Sequence, residues 1–451
     1  MFWLAGPGST LHTFTFARKY RTKEALNVSK NGPWRVRSMS RPCLWNQRPQ
    51  GALSPCNRYK HAACAHRGHV YLLGGRGLSL LKDLWRYSVV TDEWNELDCT
   101  CEGAPEELEE HSMVAHKGLL YVFGGMIDSA YTSWKTAFWV FNTIKGQWEL
   151  FQGQRHSPQR AMPVNRKAHS AVVMGSAMYI YGGYIDMRGS SQELWEYDFD
   201  TRVWSLLSGA ACGRGPGPRH GHSAMAHQHC MYLYGGLSGL REQRDLWKWN
   251  TTSQAWSCIK APSGPSKLVG HSAVVYRDSM LIFGGGETQD CPTSSLWRFD
   301  LTAQSWEKLY ALHVAVPPSR IHHCSVGFGP SFQQACAGPL REGSNNNPSR
   351  PQHVKNKLCP FAKGDIELKT LSSDKKTLKE TDFVLAGSRL RGTCMTFRNE
   401  DAFSEPQESE GTAVDSGDSV DQQCPDVLLI LGGRPLGGQP AISVWQMTLS
   451  D

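Results

Sequence analysis

The chain has 451 residues, 40% hydrophobic and 20% charged, with a formal net charge of +7. That balance supports a large core and excludes a chain too polar to fold, while the modest charge permits an anionic partner without demanding one. No apolar run reaches the roughly 18 residues of a membrane-spanning helix, so membrane insertion is not expected.

Residues 1–30 read as a leader, either disordered or a targeting segment. No acid precedes Glu24, and Arg18, Lys19, Arg21 and Lys23 make the stretch basic, as in a transit peptide. Next comes NGPWRVRSM at 31–39, with a Trp at 34 that belongs to no complete unit. From there to 328 the chain repeats itself, and a repeat fixes the architecture before any single residue does. A β-rich run ending in Gly-Gly occurs as VYLLGG (70–75), LYVFGG (120–125), MYIYGG (178–183), MYLYGG (231–236) and MLIFGG (280–285). His61, His111, His169, His222 and His271 each stand fourteen residues before the second Gly. A Trp two residues before a bulky residue follows each pair, as in Trp85/Tyr87, and another Trp stands seven residues after that bulky residue, at 94, 148, 204, 256 and 306.

Spacing that is fixed here and variable there is the mark of paired strands joined by loops. Each unit therefore reads as four short antiparallel strands. Strand A follows the His, B ends in Gly-Gly, C carries Trp-x-aromatic, and D begins at the next Trp. Gly-Gly implies a place where a side chain would obstruct close backbone approach. The Trp and Tyr suit the space between stacked sheets. The His, once per unit, is expected to be a structural group bonded to a neighbouring loop, since catalysis needs one such residue and not a ring of them.

The sixth unit starts at Arg320-Ile-His-His-Cys and is interrupted by residues 329–424. These run from an Asn- and Lys-rich part to an acidic, Ser-rich one and are expected to be mostly disordered. Ser404 and Ser409, each followed by acids, are candidate phosphorylation sites, and the segment reads equally as a solvated spacer. The unit resumes at 425–451 with VLLILGG and VWQMTL and lacks strand D.

The Gly-Gly pairs, the aromatic and the spaced Trp resemble the kelch repeat over about 34–328 and 424–451. The resemblance implies an all-β fold: a six-bladed kelch-type β-propeller with four antiparallel strands per blade. A propeller is a ring, so the missing strand D is expected from the other end of the chain, at residues 34–39, which closes the ring by completing the sixth blade.

No GxSxG, phosphate loop or HExxH motif occurs. The fourteen Cys form no CxxC pair, so no structural metal and no cofactor are expected, and the thiols fit a reducing cytoplasm, with the nucleus as a second compartment. The expected function is a non-enzymatic scaffold that binds a partner protein through an acidic or C-terminal peptide, with no nucleic acid partner. The B–C and D–A loops vary in length and share one face, where binding residues sit on a rigid scaffold. They hold the candidate partner-binding residues Arg76, Tyr131, Trp134, Arg166, Tyr184, Arg188, Arg219, Arg241, Arg244 and Arg320. The resemblance also implies, as an alternative, a substrate-recognition subunit of a cullin-type ubiquitin ligase in a cullin or elongin complex. Leu390-Arg-Gly-Thr-Cys394 is similar to an elongin-binding box, but holds a Gly. A metal-dependent propeller enzyme is the third reading, and it lacks a ligand cluster.

Overall fold

The computed structural model describes residues 44–127, 137–149, 162–208, 215–288, 290–311, 316–332 and 425–449. The expected leader, Trp34 with residues 34–39, Tyr131, Trp134, the Leu390–Cys394 box, Ser404 and Ser409 lie outside them.

Six four-stranded antiparallel sheets carry the fold. Blade 1 runs Ala62–His66, His69–Arg76, Leu80–Ser88 and Glu93–Leu97. The next four blades repeat this order around the ring, and the inner strands A of adjacent blades neighbour one another until blade 6 meets blade 1. In blade 6, Cys324–Phe328, Val427–Leu431 and Val444–Thr448 are joined by Trp45–Arg48 as the outer strand. The N-terminal side does close the ring, but with Trp45 and not Trp34. Trp45 lies opposite Met447 as Trp94 lies opposite Tyr87 and Trp306 opposite Phe299. The physical reason is loop length. Strand-D Trp residues precede the next repeat His by fifteen (Trp256 to His271) to twenty-one (Trp148 to His169), and Trp45 precedes His61 by sixteen, whereas Trp34 is twenty-seven away.

The core follows from the pleat. Successive side chains of a strand point to opposite sides of its sheet, so the strands B, buried but for end residues in blades 1 and 2, feed two interfaces each. Val70 and Leu72 pack with Leu429, Leu431 and Val444 of blade 6, while Tyr71 and Leu73 pack with Leu120, Val122 and Phe141 of blade 2. The same division holds round the ring, giving one apolar cluster per blade junction. The spaced aromatics sit directly across the C–D pairing, with ring centroids 4.7 Å apart at Tyr87–Trp94, 4.9 Å at Tyr197–Trp204 and 4.8 Å at Phe299–Trp306.

In five blades strand A turns into strand B through two residues, as between His66 and His69. In blade 6 the insertion replaces this turn, leaving Phe328 and entering Val427, which are paired. Its two described ends are tied by the Ser331 amide donating to Asp426 Oδ1 at 2.9 Å. Phe332 turns back over Gly327 and its ring lies tilted, 5.1 Å from Tyr276, at that end of the central channel. The insertion therefore leaves from the face opposite the B–C loops.

Candidate interaction face

The channel mouth on the B–C side is built from the residue before each repeat His. Lys60, Glu110, Ala168, Gly221, Gly270 and His322 all take positive φ between 52° and 64°. This left-handed backbone turns each amide toward the preceding blade. Glu110 donates to the Lys60 carbonyl, Ala168 to Glu110, Gly221 to Ala168, Gly270 to Gly221, His322 to Gly270 and Lys60 to His322, all at 2.8–2.9 Å. The six bonds form one closed cycle around the mouth. Glycine serves where room is lacking, since a Cβ on Gly221 would lie 2.7 Å from Val269 and one on Gly270 would lie 2.5 Å from Ile321.

Below this cycle sit the six histidines, His61, His111, His169, His222, His271 and His323, all buried. They explain the fourteen-residue spacing. A Cβ on the second Gly of any blade would lie 2.6–2.8 Å from the Cβ of that blade's own His. A Cβ on the first Gly would lie 2.6–3.3 Å from Cε1 of the next blade's His. Four of the rings share a hydrogen bond with a Ser hydroxyl of the preceding blade: Ser112–His169 at 2.8 Å, Ser170–His222 at 2.9 Å, Ser223–His271 at 2.8 Å and Ser272–His323 at 2.6 Å. Burial holds the rings neutral. It pushes His61 and His169 down to about 3, His111 and His271 to about 4, and His222 and His323 well below the usual imidazole range. The expectation of a structural His is met, with a strand-A hydroxyl as the partner.

Three candidate partner-binding residues are inside the protein. Arg166, Arg219 and Arg320 are 4% exposed or less, as is Arg58. Each donates from Nη1 to the carbonyl of the first Gly of its blade: Arg58 to Gly74, Arg166 to Gly182, Arg219 to Gly235 and Arg320 to Gly432. Arg58, Arg166 and Arg219 also pair with Asp83, Glu193 and Asp245 at 2.6–2.8 Å, and Arg320 bonds Ser443. Burial alone would push those carboxyls up, but hydrogen bonds from the arginine and the strand-C Trp, with the arginine charge, outweigh it and hold them below the usual range. Each acid stands two residues before a strand-C Trp whose indole N–H it accepts. Where the arginine is replaced by Leu108 or Leu268, the acid position is Ala137 or Ser295. These arginines therefore lock each B–C loop to its own blade and are not available to a partner.

A family model described as the KLHDC2/KLHL20/DRC7 Kelch-repeats domain matches residues 38–162 and 155–332. The chain belongs to the kelch-repeat family. The match ends where the insertion begins, and the closing half of the sixth kelch blade lies beyond it. Among curated relatives, Kelch domain-containing protein 3 of Rattus norvegicus is 28% identical over 244 residues, covering 50% of this chain and 63% of the relative. Host cell factor homolog hcf-1 of Caenorhabditis elegans is 25% identical, covering 70% and 44%. The Leucine-zipper-like transcriptional regulator 1 homolog of Drosophila melanogaster is 24% identical, covering 54% and 31%. The chain spans less than two thirds of each of these relatives.

On this kelch propeller the remaining candidates do reach solvent. Tyr184, Arg188, Arg241 and Arg244 are exposed, and Arg76 is part-exposed with its Nε 2.7 Å from Glu109. Sequence reasoning missed the most prominent residues of the face. At the B–C tips of blades 1, 3, 4 and 6, Leu78 is 107% exposed, Met187 91%, Leu240 94% and Leu436 36%. Each lies one or two residues from a Gly in a loop, which is the one signal the sequence carried. Among the described residues no His, Cys, Asp and Glu group that could hold a metal is present.

Proposed function

We propose that this kelch propeller is a non-enzymatic scaffold that binds a partner protein through its B–C and D–A face. One observation carries the reading: four B–C tips hold an apolar side chain out in solvent at equivalent places around one face. The opposite face closes strands A and B with polar turns, Arg67-Gly68, Lys117-Gly118, Gly175-Ser176, Gln228-His229 and Arg277-Asp278. Single exposed apolar residues are ordinary, as at Val90 and Ile144 in two turns of the opposite face, but four at equivalent tips of one rim mark an interaction surface. Blade 5 differs, with Glu287, Thr288 and Asp290 exposed in its loop. The free thiols of all eight described cysteines support a reducing compartment, the cytoplasm or nucleus.

The test is affinity purification with quantitative mass spectrometry on the intact protein and on two variants shown to unfold cooperatively. In one, Leu78, Met187, Leu240 and Leu436 become Ser; in the other, Lys117, Gln228 and Arg277 become Glu. Partners lost only with the first variant support the reading. Partners retained by it overturn the reading. Cullin or elongin subunits among the face-independent partners would narrow the function to substrate recognition for a ubiquitin ligase.

A further inference from the structure

The face is not uniform. Blades 3 and 4 each raise a separate miniature two-residue ladder above the sheet, whereas blade 1 reaches the same place by extending its own sheet past a bulge, through Gly75–Leu81 and Arg76–Leu80. Tyr184–Ile185 pairs with Gly189–Ser190, and Leu237–Ser238 pairs with Arg241–Glu242. The two hairpins present the same tip, an apolar side chain followed by Arg: Met187-Arg188 and Leu240-Arg241. They are braced against each other by His220. Its Nδ1 lies 2.9 Å from Ser190 Oγ of the blade 3 hairpin, its ring packs edge-on 5.5 Å from Tyr184, and its backbone exchanges both hydrogen bonds with Leu237 of the blade 4 hairpin. Backbone pairing and this bridge fix the tips before any partner arrives, which lowers the ordering cost of binding.

Charge divides the face in the same way. Beside blade 2 the D–A loop exposes Glu102, Glu106 and Glu107. Around the twin hairpins stand Lys167, Arg188, Arg241 and Arg244, against Asp186 and Glu242, because Glu193 and Asp245 are already matched by the buried Arg166 and Arg219. The blade 2 side repels an acidic chain and the blade 3–4 side attracts it. The mouth next to the hairpins is lined by the small residues Ala168, Gly221 and Gly270, whereas Lys60, Glu110 and His322 fill the other side.

Building on the proposed use of this face, we infer that the twin hairpins of blades 3 and 4 are its docking site for an acidic partner segment, one with carboxylates beside aliphatic or aromatic side chains. The apolar side chains pack on Met187 and Leu240. The carboxylates meet Arg188, Arg241 and Arg244, where guanidinium geometry favours paired hydrogen bonds.

A random peptide library displayed on phage and selected on the intact protein tests this. The enriched peptides, synthesised with a fluorescein label, are then titrated by fluorescence anisotropy. The expected peptides hold Asp or Glu next to Leu, Ile or Phe, and their binding weakens as salt is raised. Met187→Ser with Leu240→Ser, and separately Arg241→Glu, weaken binding by about ten-fold or more, while Leu78→Ser with Leu436→Ser changes it less than about two-fold. Arg241→Glu then prefers the peptide whose Asp is changed to Lys. If the blade 1 and 6 pair abolishes binding and the blade 3 and 4 pair does not, the face is right and the twin-hairpin site is wrong. If neither pair matters, both readings fall. A selection that enriches no acidic peptide overturns the twin-hairpin proposal.

Discussion

Lowering the pH from about 7.5 to about 5.5 should strongly destabilise this propeller, and the six buried histidines set the size of the effect. Their imidazoles are neutral in the folded ring, with burial pushing His61 and His169 down to about 3 and His111 and His271 to about 4. In the unfolded chain each titrates near 6.5. Between those values the unfolded state binds more protons, so stability rises with pH there. The full stability is present above about 6.5 and is lost as pH falls toward the folded values. At pH 5.5 each neutral imidazole forgoes about 1.4 kcal/mol of protonation free energy that the unfolded chain gains, and six together forgo about 8 kcal/mol. That is of the order of the whole stability of an ordinary domain, about 5–15 kcal/mol. His66, His116, His220 and His322, also pushed down by burial, act in the same direction.

Urea unfolding followed by Trp fluorescence at a series of pH values reads the loss directly. Calorimetry in buffers of different ionisation enthalpy reads the protons taken up. The expected uptake on unfolding at pH 5.5 is about five protons or more. An uptake of about two or fewer, or a urea midpoint unchanged between pH 7.5 and 5.5, would refute the account of the histidine ring.

Three substitutions, with Gly146→Ala as a control away from the ring, probe the same region. Ala62 stands where four other blades place the Ser that bonds the next His, and Nε2 of His111 has no partner; Ala62→Ser should raise stability by about 1 kcal/mol in urea unfolding. Gly284→Ala puts a Cβ 2.6 Å from His323 Cε1 and 2.8 Å from the Arg320 carbonyl, whereas Gly146→Ala, at nearly the same φ, meets nothing within 4 Å. The first should cost about 3 kcal/mol and the second about 1 kcal/mol, and equal costs would show that backbone conformation alone selects these glycines. Arg219→Ala strands Asp245 and the Gly235 carbonyl and should cost about 3–5 kcal/mol in stability, while purified folded protein keeps its peptide affinity.

The blade plan was legible because strand pairing forbids insertions while loops absorb them: His to Gly-Gly and aromatic to Trp keep fixed distances, the Gly-Gly to aromatic distance varies, and so the strand order and the closure from the N-terminal side could be read directly. Two details were present in the spacing but not extracted. Trp45 fits the D–A loop lengths and Trp34 does not. Arg58, Arg166 and Arg219 each occur with an acid two residues before the strand-C Trp, and Leu108 and Leu268 occur without one. That covariation within one chain is the sign of a buried ion pair and not of a recognition surface. The exposed tips were not legible in the same way. Leu78, Met187 and Leu240 are the residue types that usually bury, and only the conformation of their loops puts them in solvent.

The ring's two irregular junctions both involve blade 1; each keeps an apolar cluster like the other four but lacks their hydroxyl–imidazole bond. At the junction of blades 6 and 1, Cys324 replaces the Ser, and its thiol donates to the His61 carbonyl at 3.1 Å. Burial pushes this thiol and Cys64 up to about 12, with each other's proximity adding at Cys64, so both are packing groups and not reactive ones. The junction is instead crossed by the chain that leaves the closing strand. Arg48 pairs with Asp92, Trp94 donates to Gln50 at 2.7 Å, and the Asn57 amide donates to the Pro440 carbonyl at 2.7 Å. At the junction of blades 1 and 2, Arg76 pairs with Glu109 at 2.7 Å and Lys60 reaches Glu110 at 3.3 Å. Buried hydroxyl–imidazole bonds are thus exchanged for part-exposed polar contacts, which salt and solvent weaken. At the junction of blades 6 and 1 the exchange falls where the two ends of the repeat array meet. The closing strand is thus tied to blade 1 by long-range contacts near the surface, outside the buried histidine ring.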